Sequence, residues 1–61
     1  MNIQFAEHDG TYTGTSRGGR RWRISRVVTG WQLEFRDEGD MTATYAGVHR
    51  SVAAAQTEAA S

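Results

Sequence analysis

Glycine-containing turn signals at Asp9-Gly10, Gly18-Gly19, Thr29-Gly30 and Glu38-Gly39 punctuate a proline-free chain and read as hairpin turns. Between them lie Ile3 to His8, Thr11 to Ser16, Arg20 to Val28, Trp31 to Arg36 and Met41 to Ala46, each rich in aromatic, β-branched or threonine residues. Short runs separated by glycine turns read as five antiparallel strands in sequence order, a meander.

Side chains alternate across a strand, so each loop length decides which residues share a face. A two-residue Thr29-Gly30 turn sets Val28 opposite Trp31 and Ile24 opposite Phe35. Trp22, Ile24 and Val28 then share a face with Trp31, Leu33 and Phe35, leaving Arg21, Arg23, Gln32, Glu34 and Arg36 on the other. A two-residue Asp9-Gly10 turn groups Ile3 and Phe5 with Tyr12 and Gly14. The two hairpins present one common apolar face only if the Arg17-Gly18-Gly19 connection is odd in length, which puts Gly14 beside Trp22, with room for the indole. A three-residue Asp37-Glu38-Gly39 loop adds Met41, Ala43 and Tyr45 to that face. Arg26 is its one charged member, placed to lie over a tryptophan ring or to reach water.

A sheet with one apolar face needs a cover. Ser51 is a good N-cap, and Val52 to Ala60 contains only helix-compatible residues, with Val52, Ala55 and Ala59 at helical spacing and Gln56 at the margin. A helix this short must dock to persist. The expected fold is therefore α+β: a single domain over residues 1–61, with strands near 3–8, 11–16, 20–28, 31–36 and 41–46 and one helix near 52–60 packed on one face. The same pattern is compatible with a sheet that curls into a small barrel.

The chain has 61 residues, so folding removes only about 60% of the surface the unfolded chain exposes. It has no cysteine, which excludes a disulfide framework and thiolate metal sites. Two histidines alone make a poor metal site, and no cofactor or small-molecule substrate is expected. The longest apolar stretch, Val52 to Ala55, is too short for a signal peptide or a membrane span, so a cytoplasmic soluble protein is the expectation. Net charge is zero, which argues against binding nucleic acid through bulk charge alone. The distribution is uneven, however. Arg17, Arg20, Arg21, Arg23 and Arg26 fall within ten residues that contain no acid, whereas Glu34, Asp37, Glu38 and Asp40 cluster around Arg36.

No set of residues has the pattern of a catalytic site, and the chain reads as a non-enzymatic binding module. His8 beside Asp9 reads as a polar strand end, and His49 as a packing residue at the approach to the helix. Asp37, Glu38 and Asp40 lack metal-loop spacing. Gly18-Gly19 precedes a strand and has no lysine, unlike a phosphate-binding P-loop. The arginine-rich second hairpin is the best candidate site: Arg17 and Arg20 flank its tip, Arg21 and Arg23 project from the exposed face, and Arg36 joins them across the sheet. Exposed threonines, Thr44 among them, extend a surface suited to DNA, with arginine forks on phosphate or guanine. The competing expectation is a protein partner or self-association, through an edge strand or the alanine-rich helix.

Three features carry a family resemblance: Trp22-Arg23-Ile24 in one strand, Gly30-Trp31-Gln32-Leu33 opening the next, and Tyr45 with Gly47 leading to Ser51 and Ala55. Over about residues 20–60 they resemble the three-stranded sheet plus helix of plant ethylene-response-factor DNA-binding domains and of phage tyrosine-integrase arm-binding domains. That resemblance implies DNA contacts from Arg21, Arg23, Gln32, Glu34, Arg36 and Thr44. The chain departs from it in the helix start, His49-Arg50-Ser51-Val52, and in having two additional strands before the shared module. A short chain beginning at methionine also looks like the small accessory proteins that phages and mobile elements encode.

Overall fold

A computed structural model describes residues 3–61 and contains the expected meander. Strands β1 (Phe5–His8), β2 (Thr11–Thr15), β3 (Arg21–Val27), β4 (Gly30–Arg36) and β5 (Thr44–His49) form one antiparallel sheet in sequence order, and helix α1 (Val52–Ala60) follows. The sheet is open rather than barrel-shaped, with β1 and β5 at its edges.

The first hairpin turns as its sequence dictates. Asp9 and Gly10 both have positive φ, 53° and 83°, the mirror-image turn that matches strand twist, and His8 pairs with Thr11 across it. The next connection has the expected three-residue loop. The Ser16 amide donates to the Arg20 carbonyl at 2.8 Å, enclosing Arg17, Gly18 and Gly19, and the odd length carries both hairpins onto one face. Gly14 stands opposite Phe5 on one side and Trp22 on the other. The space left by its missing side chain is taken by β1 rather than by the indole, since a Cβ there would lie 2.6 Å from the Gln4 carbonyl oxygen and 3.0 Å from Ile3.

The third turn differs from expectation. Val28 and Thr29 form the tip, and Gly30 is the first residue of β4, paired with Val27. Gly30 is needed for close approach, because a Cβ on it would strike the His49 carbonyl oxygen on β5. The pairing is thereby displaced by an even number of residues, which keeps the faces: Ile24 lies opposite Leu33, and Trp22 opposite Phe35. Val28, expected in the core, is instead fully exposed.

The fourth connection also departs, this time with a change of face. Asp37 to Asp40 close a turn, with the Asp40 amide donating to the Asp37 carbonyl and the Asp37 amide to the Asp40 carboxylate. The chain then runs on to Thr44 before pairing resumes. Phe35 faces Thr44, where Met41 was expected, an odd displacement that inverts the alternation. Met41 is left in the unpaired connection, 90% exposed, Tyr45 is turned to the outer face, 64% exposed, and Ala46 packs against the core in their place. A bulge between Gln32 and Glu34 accommodates Gly47 at φ 98° and restores pairing of Gln32 with Val48 and Trp31 with His49.

The core lies between sheet and helix. Ile24 and Leu33 are fully buried, Trp22 nearly so, and Ile3, Phe5, Tyr12, Trp31 and Phe35 pack around them. Helix α1 lies over β3, β4 and β5 and contributes Ala55 and Ala59. The Ser51 hydroxyl accepts from the Ala54 amide at 3.0 Å, the expected N-cap. Tyr12 meets Trp31 edge to face, with ring centres 6.0 Å apart, and the Arg26 guanidinium sits 5.2 Å from the centre of the Trp31 ring.

Candidate nucleic-acid interface

The face of the sheet turned away from α1 follows from the same alternation. Residues on β3 and β4 that are not needed in the core project outward, and pairing arranges them in rows. Thr15, Arg21 and Arg36 form one row; Thr13, Arg23, Glu34 and Tyr45 the next; Ser25, Gln32 and Val48 a third. Thr13, Thr15, Arg21, Arg23, Glu34 and Arg36 of the first two rows line an open depression of about 510 Å³ together with Gln4 and Ala43, and Tyr45 lies outside it. Gly14, Trp22 and Phe35 also line it.

The charges on this face are unequal. Arg23 Nη2 lies 2.7 Å from Glu34 Oε2, and the Gln32 amide donates to the other Glu34 oxygen at 3.1 Å, so both oxygens of this carboxylate are engaged. Arg21 and Arg36 are direct cross-strand neighbours, both exposed, and among the described residues neither has an acidic partner within 4.0 Å. Like charges placed directly opposite are destabilising unless an anion or solvent intervenes. Glu34 is the only acid that alternates onto this face of β2, β3 and β4.

Two of the six sequence candidates lie elsewhere. Arg20 is folded onto the helix side, its guanidinium 3.9 Å from the centre of the Phe35 ring and 5.8 Å from that of Trp22. It also makes a two-pronged pair with Asp37, Nε to Oδ1 at 2.7 Å and Nη2 to Oδ2 at 3.0 Å. Hydrogen bonding within this pair raises the Arg20 pKa and holds Asp37 below the ordinary carboxylate value. The pair ties the β2–β3 loop to the β4–β5 loop and leaves Arg20 already occupied. Thr44 stands opposite Phe35, on the helix side, because the longer fourth connection inverts the alternation. Arg17 is exposed at the loop tip, and Arg21, Arg23 and Arg36 come together on the outer face as expected.

Tyr45, expected on the core side, lies on this outer face beside the arginine rows. Its true position follows from the fourth connection, which runs to Thr44 before pairing resumes and so displaces the register by an odd number of residues ahead of the bulge at Gly47. Among the described residues no three His, Asp or Glu side chains come together in a way that could hold a metal ion, and no helix is long and apolar enough to cross a membrane. Comparison with family models, curated proteins and solved structures found no match to this chain.

Proposed function

We propose that the outer face of the sheet binds nucleic acid, with Arg21 and Arg36 engaging phosphate. The observation that carries this reading is their direct opposition across β3 and β4 without a carboxylate partner. Such a pair is relieved by an anion between the two guanidiniums, and arginine forks fit phosphate oxygens. Thr13 and Thr15, in the same depression, supply short hydroxyl donors to a backbone. The resemblance of residues 20–60 to sheet-plus-helix DNA-binding modules points to the same face.

A titration of mixed-sequence duplex DNA over a range of salt tests this. Binding should weaken steeply with salt, and Arg21→Ala with Arg36→Ala should lower the slope of log K against log salt by about 2, one unit for each phosphate no longer neutralised. Arg26→Gln, a charge removed from the helix side, should leave the slope unchanged. Absence of binding to both duplex and single-stranded DNA at low salt, or an unchanged slope in the double variant, overturns the reading. The protein-partner reading would then stand in its place, favoured by the groove that Ile3 and Phe5 form with Ala53 and Ala60 between β1 and α1.

A further inference from the structure

We infer that the preferred ligand of this face is a single strand, with a base stacked on Tyr45 and neighbouring phosphates held by Arg36 and Arg21. The inference rests on the nucleic-acid reading and adds the ligand's form.

Tyr45 is a large aromatic side chain left 64% exposed beside the arginine rows. It stands opposite Glu34 on the edge strand, and Glu34 is immobilised by Arg23 and Gln32. The ring therefore borders a fixed polar surface and is open to the sheet edge. Arg36 lies one strand over and two residues along, a backbone separation of about 8 Å at normal strand spacing, with Arg21 one strand further. An aromatic ring and two arginines at such separations combine a stacking surface with phosphate anchors.

Two physical arguments favour a single strand over a duplex. First, duplex bases are stacked on one another and offer the tyrosine no free ring face, whereas an unpaired base does. Second, Arg21 and Arg36 are the uncompensated cations of the rows, and two phosphate contacts supply little affinity in a molecule of zero net charge. Stacking adds a salt-independent contribution. Because every base has such a face, no marked sequence preference is expected.

The test is fluorescence anisotropy with labelled oligothymidine of about 12 nucleotides, in the range that small β modules cover, beside the mixed-sequence duplex. Tyr45→Ala should weaken single-strand binding about tenfold or more, with the salt slope unchanged, and should alter duplex binding less than twofold. Tyr45→Trp should match or exceed the wild type, which separates loss of stacking from any loss of folding. The inference is overturned if Tyr45→Ala binds the single strand as well as the wild type, if it loses both forms equally, or if the wild type prefers the duplex. In each of those cases the nucleic-acid reading survives as long as the Arg21 and Arg36 substitutions still matter. If the wild type binds neither form, both fall together.

Discussion

Leu33→Ala is expected to bring this protein close to unfolding, whereas Met41→Ala and Tyr45→Ala leave it almost untouched. All three side chains belong to one apolar face when counted by simple alternation, yet Leu33 is 0% exposed, Tyr45 64% and Met41 90%. A chain of 61 residues has roughly 3–9 kcal/mol of stability in total at typical per-residue values. Truncating a buried leucine costs about 2–5 kcal/mol, the upper end where the surroundings cannot close on the cavity. Above Leu33 the helix presents Ala55 and Ala59, which have no side chain able to swing into the space, and its neighbour Ile24 is held across β3 and β4.

The midpoint of thermal unfolding should therefore fall by at least about 10 °C for Leu33→Ala. The exposed variants should stay within about 0.5 kcal/mol of the wild type. Urea unfolding followed by the fluorescence of Trp22 and Trp31, with far-ultraviolet circular dichroism as a second probe, measures all three. A loss below about 1 kcal/mol for Leu33→Ala would refute the cavity argument, and an equal loss for Tyr45→Ala or Met41→Ala would mean that β5 pairs in the register counted from a three-residue loop.

Two further outcomes follow from the loops and the first hairpin. The Asp37 carboxylate is held below its ordinary value of 3.8 chiefly by its hydrogen bond from Arg20. Its contribution to stability is therefore present above that value and lost as pH falls through the lower folded-state pKa. Asp37→Asn should flatten the loss of stability in acid below about pH 4, as read from urea midpoints across pH; an unchanged acid profile would contradict it. Gly14→Ala should destabilise the protein by about 1–3 kcal/mol, because the added carbon meets a backbone carbonyl that can move only if β1 shifts. Amide hydrogen exchange should show that loss concentrated in β1 and β2, and equal loosening across β4 and β5 would contradict the assignment.

The parts of the fold legible in the sequence are those governed by local chemistry. Asp9-Gly10 requires positive φ at both positions and fixes the first hairpin; Gly18-Gly19 closes an odd loop; Ser51 caps α1. Alternation then places Trp22, Ile24, Leu33 and Phe35 inward and Arg21, Arg23 and Arg36 outward. What was not legible depended on contacts distant in sequence. Gly30 reads locally as a turn residue, but its missing side chain serves the approach of His49, nineteen positions later. Arg20 reads as a free cation, yet its partners Phe35 and Asp37 lie on and after a different strand. Neither fact can be obtained from the residues flanking it.

The same distinction explains why the candidate site is partly a consequence of the core. Burying Ile24 and Leu33 under α1 obliges the intervening residues of β3 and β4 to face outward, so the row positions of Arg21, Arg23, Glu34 and Arg36 are set once the core is set. Composition alone is free there, and opposing two arginines at 21 and 36 adds repulsion that a lysine-free solubilising face has no need of. Tyr45 is different. Pairing resumes only at Thr44, displaced by an odd number of residues, and this presents the ring outward; the bulge at Gly47 then undoes the inversion, so that His49 lies opposite Trp31. Without that bulge Val48 and His49 would exchange faces, and the edge strand would turn an imidazole outward while pressing valine against Trp31. The long loop and the bulge together expose one aromatic ring beside the arginine rows while keeping the end of β5 in register for the helix.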